Sequence, residues 1–345
     1  MVSIVDKFQI KGLKLKNRIV MPPMCQYSSF AEDGQVTDWH IQHYLSRAIG
    51  GVGLIIIEMT DIEPDGRITN QDLGLWTDQQ IEGIRKIVDA CHQYGTKVGI
   101  QIAHAGRKAL DAQVPVSASP IAYDNDSKTP RELTISEIEE MVEKFGQAAR
   151  RAVAAGVDTI EIHGAHGYLI HQFQSHYTNH RQDIYGKNLS LFGSQVVARV
   201  KRELPDSMPL IMRISAIEYV KNGYGLTESL DFSADYLKAG VDIFHISSGG
   251  EGPIGSGGQP GVHAGYQVPF AQAFKEKFNV PVIAVGKLSD YQLANSVIGN
   301  QAADLVAIGR GMLRNPYWTL EMADQLKDSQ FVPKQYERAF SRHLK

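Results

Sequence analysis

The stretch His163-Gly164-Ala165-His166-Gly167-Tyr168 carries the densest chemical signal in the chain. Two imidazoles three residues apart can aim N–H donors at one oxygen. Such a pair polarises a carbonyl or nitro group and stabilises the enolate-like charge that develops as hydride adds to the conjugated double bond. Tyr168 supplies an acid, because a phenol with a pKa near ~10 stays protonated at neutral pH and can give its proton to the neighbouring carbon. A hydrogen-bonded histidine pair beside a packing tyrosine is the structural alternative. The segment's place, directly after an apolar strand-like run, favours chemistry. His171, His176 and His180 follow, making five histidines in eighteen residues. Imidazole suits zinc, but there is no His-Glu-x-x-His run, no nearby cysteine and no regular spacing, so no metal is expected.

Other polar residues also end apolar runs. Arg213 closes one, and a guanidinium that begins inside an apolar strand needs an acceptor. A flavin N1–C2 carbonyl edge is one such acceptor, and a structural carboxylate is another. Gln101 suits the same ring edge or a loop backbone. Cys25 is either a small buried hydrophobe or a weak S–H donor beside a flavin. Gly286 and the pair Gly309-Arg310 end two later runs, where glycine lets backbone N–H groups approach a phosphate and arginine adds a bidentate charge. Gly250, Gly252 and Gly255 match the G-x-G-x-x-G pattern of dinucleotide folds, but Pro253 interrupts it and no helix opens afterwards.

The elements that must position these residues are eight short apolar runs: 18–22, 53–57, 98–102, 158–162, 210–214, 242–246, 281–285 and 304–308. Most lack strict alternation, as expected of parallel strands buried on both faces. Helices are expected between them at 38–50, 78–94, 136–155, 194–203, 227–239, 268–278, 289–298 and 316–326. Ser136 and Glu139 form a capping box for the third of these. Eight β–α units predict an α/β fold, a single (β/α)₈ barrel domain spanning 1–345 with extended loops at the C-terminal strand ends and a tail from about 330. Two long connections, 103–133 and 247–266, follow such ends. In a barrel all eight ends converge on one mouth, so residues scattered along the chain can line one pocket.

Composition narrows the function. The chain has 345 residues and a formal charge of -3, with no basic surplus for nucleic acid or anionic membrane. Two cysteines supply neither a disulfide framework nor an iron–sulfur cluster, which excludes an iron–sulfur dienoyl-CoA reductase. With no targeting signal visible, a reducing cytoplasmic home and small-molecule partners are expected. A flavin-binding sensor or storage module without turnover is the competing class. Tyr168 argues against it, since mere binding needs no proton donor. A cofactor-free barrel lyase is a third option.

The stretches KNRIVMPPMCQYS, GGVGLIIIE, GIQIAHAGRK, DTIEIHGAHGYLIHQF, SSGG, PVIAVG and DLVAIGRGMLRNP together resemble the old yellow enzyme family, in its thermophilic-like bacterial branch, over essentially the whole chain. The resemblance implies non-covalent FMN, NADPH or NADH as hydride donor, and ping-pong reduction of activated C=C bonds in α,β-unsaturated carbonyl or nitro compounds. It implies that Pro22, Pro23, Met24 and Cys25 lie against the flavin ring, with Met59 at its edge and Gln101 and Arg213 bonding it. His163 and His166 resemble the substrate-oxygen pair and Tyr168 the proton donor. Tyr27 resembles a further substrate-contacting phenol, and Lys108 a residue near the site entrance. Gly286, Gly309 and Arg310 resemble the phosphate cradle, aided by Ser248 and Gly249. The tail Tyr336-Glu337-Arg338-Ala339-Phe340 resembles an ending whose arginine reaches a neighbouring subunit's site, implying a dimer or tetramer. Three departures stand out: Met59 where the branch has alanine, His176-Tyr177 for a proline-containing step, and Gly186-Lys187-Asn188 for a double glycine.

Overall fold

The computed structural model describes residues 2–253, 262–328 and 330–340. Its strands are β1 (Ile19–Met21), β2 (Leu54–Asp61), β3 (Lys97–Ala103), β4 (Thr159–Gly164), β5 (Leu210–Ser215), β6 (Ile243–Ser247), β7 (Val282–Ala284) and β8 (Leu305–Ala307). Each pairs in parallel with the next, and β8 pairs back onto β1, so the barrel is closed and leaves no edge. The helices of the β–α units are α1 (Asp38–Ile49), α2 (Ile81–His92), α3 (Ile135–Ala154), α4 (Leu191–Lys201), α5 (Leu226–Ala239), α6 (Val268–Phe278), α7 (Tyr291–Gly299) and α8 (Trp318–Gln325). No helix among the described residues is long and apolar enough to cross a membrane.

Helix α3 begins earlier than its expected cap. Thr134, not Ser136, is the N-cap: its hydroxyl accepts the Glu137 N–H at 3.3 Å, and the Glu137 carboxylate accepts the Thr134 N–H at 2.8 Å. Two overlapping boxes are possible in this sequence. The earlier one wins because Arg131 grips both oxygens of Glu137, at 2.8 Å each. A hairpin that the sequence reading missed, Phe8–Ile10 with Leu13–Leu15, lies ahead of β1. Its Leu13 and Leu15 pack with Val20, Leu54, Ile211, Ile243, Ile283 and Leu305, apolar residues at or near the strand starts, and so plug that end of the barrel. Only the opposite end remains for a ligand.

A recurring aspartate fixes strand register at the plugged end. Asp158, Asp242 and Asp304 each sit one residue before a strand and accept the N–H of Val98, Leu210 and Val282 at 2.8, 2.9 and 3.0 Å. Each also holds a lysine: Lys97 at 2.7 Å, Lys201 at 2.7 Å and Lys275 at 3.0 Å. Asp242 binds Lys11 as well, at 2.6 Å. Burial pushes the Asp242 carboxyl up, but the two lysines more than offset it and hold the pKa below the ordinary range. Asp242→Asn should therefore lower stability by about 1–3 kcal/mol at neutral pH. A depressed pKa contributes stability that is complete above the unfolded value near ~4 and lost as pH falls through the folded one. Denaturation of both proteins at neutral and acid pH should show the gap narrowing in acid.

Candidate active site

Side chains two apart on a strand face the same way, and the inward set changes character along the barrel. Ile211 and Ile243 belong to the plugged apolar layer. Two residues further on, Arg213 pairs in register with His245 on one side and His163 on the other. Glu161, fully buried two residues before His163, accepts the Gln101 side-chain N–H at 2.7 Å and meets His245 Nδ1 at 2.7 Å. Gln101 thus bonds a carboxylate rather than a loop backbone. Arg213 has no ion pair among the described residues, and its buried Nε has no hydrogen-bond partner. The structural-carboxylate alternative for Arg213 is not realised.

Above this layer the three expected catalytic residues converge. The His163 and His166 rings lie 5.2 Å apart at 86°, and His163 and Tyr168 lie 4.8 Å apart at 75°. His163 Nδ1 accepts the Ala165 N–H at 3.2 Å, which leaves the ring proton on Nε2. His166 is held differently, with Nε2 at 2.7 Å from Ser247 Oγ, so its free nitrogen is Nδ1. Burial, then the nearby Arg213 cation, keeps both imidazoles neutral by lowering their pKa well below 6.5. Burial, then Cys25 and Tyr27, holds the Tyr168 phenol well above 10, so it stays protonated.

Beside them, a cavity of about 580 Å³ is lined by Pro22, Pro23, Met24, Arg213, Ser247, Gly286, Gly309 and Arg310. Gln267, Lys287 and Arg314 line it too, and the sequence reading missed them. Gly286 adopts φ +123, and a Cβ there would meet the Gln267 side chain at 3.1 Å. A Cβ on Gly309 would sit 3.5–3.6 Å from Met24 and Pro22, against the same cavity. The expectation for Gly249 is corrected. Its N–H, the one group it could offer a phosphate, already donates to Ile217 O at 2.7 Å, and its carbonyl accepts from Ser215 Oγ at 2.8 Å. Ser248 Oγ bonds Gln267 at 2.7 Å and Tyr219 at 3.2 Å, and the serine facing the cavity is Ser247. The helix after Gly309 spans only Arg310–Arg314, so its dipole adds little to the Arg310 charge. An unpartnered buried guanidinium, a glycine cradle and an arginine fit a phosphorylated ligand with an electron-rich ring edge, which is the chemistry of FMN.

The segment after β1 is fixed from behind. A bulge in β2 between Ile57 and Met59 aims Glu58 at α1, where it accepts from the Tyr44 hydroxyl at 2.7 Å and the Gln26 N–H at 2.8 Å. Burial, then Asp72, Glu58 and Asp61, raises the Cys25 pKa well above 9, so it is a thiol. Tyr27 stands 42% exposed at the mouth with φ +51. Lys108 Nζ donates to His166 O and Gly250 O, both at 2.9 Å.

The remaining expectations fall outside the pocket. His171, not His176 or His180, joins Glu218 and Glu251 in a buried group whose potential ligand atoms lie within 4.8 Å of one another. Its Nδ1 accepts the Gly167 N–H at 2.9 Å and its Nε2 lies 3.0 Å from Glu218, so both ring nitrogens are engaged. Tyr177 lies against the Arg107 guanidinium, 5.7 Å from its ring centroid. Gly255 of the glycine motif lies outside the described residues. In the tail, Phe340 packs on the chain's own core and Tyr336 on Tyr317, 5.9 Å between rings. Arg338 is exposed and does not line the cavity.

A family model described as NADH:flavin oxidoreductase / NADH oxidase matches residues 4–329. An NADPH dehydrogenase of Clostridium acetobutylicum is 44% identical over 345 residues, 99% of this chain and 100% of that one. An NADPH dehydrogenase of Bacillus subtilis is 44% identical over 341 residues, 96% of this chain and 97% of that one. The solved morphinone reductase superposes with a TM-score of 0.79 at 25% identity, covering 95% of this chain and 90% of that chain. A 2-naphthoyl-CoA reductase complex superposes with a TM-score of 0.88 at 22% identity, a likeness of fold, and this chain spans 52% of its length.

The Gly286 geometry sets a test. Alanine there should lower stability by about 1–3 kcal/mol, because a non-glycine residue is strained in that backbone conformation. It should also weaken binding of a phosphorylated ligand about tenfold or more. Thermal unfolding and a titration with FMN against the riboflavin analogue read the two effects separately, since only FMN carries the phosphate.

Proposed function

The chain belongs to the NADH:flavin oxidoreductase / NADH oxidase family as an FMN-dependent NADPH oxidoreductase of the old yellow enzyme type, and from this we propose that it reduces the activated C=C bond of α,β-unsaturated carbonyl or nitro compounds. The observation that carries the proposal is the convergence of two neutral imidazoles and one protonated phenol at the barrel mouth. His163 Nε2–H donates to the substrate oxygen, as does His166 Nδ1–H in the tautomer whose Nε2 accepts from Ser247 Oγ, and together they stabilise the negative charge that grows on it. Bound FMN supplies the hydride, taken from the nicotinamide nucleotide. Pro22, Pro23 and Met24 would wall the ring, and Gly286, Gly309 and Arg310 would hold its phosphate. Arg213, which lines the same cavity, would face the edge that gains negative charge on reduction. Tyr168 gives its proton to the carbon next to the polarised group, and the high pKa of the buried phenol keeps that proton in place until an acceptor carbanion develops. Nucleotide and alkene use this one oxygen site in turn, which is ping-pong kinetics.

Tyr27 at the mouth is the further substrate contact in this reading. Self-association, in which Arg338 of one copy reaches a neighbour's mouth, agrees with its exposure outside its own cavity.

Two outcomes are expected. Tyr168→Phe should leave reduction of the flavin by NADPH within about threefold of the parent and slow alkene reduction by about 10²–10⁴, because only the second half needs the proton. Stopped-flow spectra resolve the halves, and equal losses in both would remove Tyr168 from this role. Arg338→Ala should raise the KM for the alkene several-fold without changing FMN content. An unchanged KM would return the tail to a purely structural part.

A further inference from the structure

We propose that Lys108 is a positioning residue, an ammonium clamp that holds the His166–Gly167 turn against the Gly249–Gly250 turn and so sets where His166 and Tyr168 point. The two turns follow β4 and β6, and both are left-handed: φ is +59 at His166, +72 at Gly167, +73 at Gly249 and +95 at Gly250. They meet backbone to backbone. A Cβ on Gly167 would stand 2.3 Å from Gly250 O, and one on Gly250 would stand 2.5 Å from His166 Cα. No side chain fits between them.

Such packing brings two carbonyl oxygens, His166 O and Gly250 O, to the same point, where their dipoles repel. The Lys108 ammonium lies at that point, 2.9 Å from each. It also stands 5.2 Å over the Tyr168 ring and 4.4 Å over Tyr123, and so touches the third-, fourth- and sixth-strand loops together. Its neighbour repeats the contact one residue along, since Arg107 donates to Glu251 O and pairs with the Glu251 carboxylate at 3.2 Å. The charged and titratable groups facing Lys108 are Glu251, Arg107, His163, His166, Tyr123 and Tyr168, and no carboxylate bonds it directly. Burial lowers its pKa to about 8. A lysine whose charge is already committed to two carbonyls acts on the substrate through the turn, although the family resemblance places it near the site entrance.

The kinetic part of the test rests on the proposed alkene reduction; the structural part does not. Hydrogen–deuterium exchange is measured on the FMN-loaded protein without substrate, for the parent, Lys108→Met and Lys108→Arg. A clamp predicts that Lys108→Met raises exchange about tenfold in peptides covering 164–169 and 248–252, leaves β3 and α3 unchanged, and is largely reversed in Lys108→Arg. In turnover, Lys108→Met should lower kcat about tenfold or more with KM within about threefold. The parent's kcat should decline above about pH 8 as the ammonium loses its proton, a limb that Lys108→Met lacks. Unchanged exchange with a raised KM overturns the proposal in favour of direct contact. Faster exchange throughout the barrel overturns it in favour of a general packing role. If the alkene is not reduced at all, the exchange pattern still decides the clamp.

Discussion

A guanidinium buried inside a barrel is unfavourable unless something of opposite charge lies near it, and the site is arranged around the way Arg213 meets that constraint. The nearest internal carboxylate, Glu161, is already engaged by Gln101 and by His245. Arg213 is thereby left with an unpartnered Nε and a face toward the cavity. Its charge also reaches His163 and His166, where it is the largest influence after burial in keeping both rings neutral. One residue therefore creates the demand for an electron-rich ligand edge and reinforces burial in keeping each imidazole to a single N–H.

The barrel permits this by keeping its two ends chemically separate. The hairpin and the apolar layer of Leu54, Ile211, Ile243 and Ile283 exclude water from the strand starts. Asp158, Asp242 and Asp304 hold the register there, and register decides which residues point inward further along each strand. A slip of one residue in β5 would replace Arg213 with an apolar neighbour. The geometry of the mouth thus depends on polar pins at the opposite rim.

The eight strands were legible because they are short, nearly continuous apolar runs, and the site was legible because its polar residues end them. What escaped was pairing between distant segments. Glu161 and His245 look like isolated polar residues in their strands until β4, β5 and β6 stand side by side. Gln267 was hidden between the long glycine-rich connection and helix α6, whose N-cap it is. The shift from Ser248 and Gly249 to Ser247 is a matter of one residue at the end of β6, where the strand stops and the chain turns. The hairpin was missed because its strands are three residues each and carry exposed lysine and glutamine between apolar positions.

Met59 shows how a departure from the family pattern is absorbed locally. By the family resemblance Met59 stands in place of an alanine and adds volume, which dense interiors tolerate poorly. Here the surrounding wall is built from Ala103, Ala105, Ala109 and Ala112, with Ile68 behind them. These small side chains leave room for a longer, flexible neighbour, and Met59 is 2% exposed. Cys25 and Tyr168 pack against the same cluster. The bulge between Ile57 and Met59 places the methionine in register with Gln101. Met59 therefore shares its packing with Tyr168, and a change of volume at this position bears on the support of that phenol.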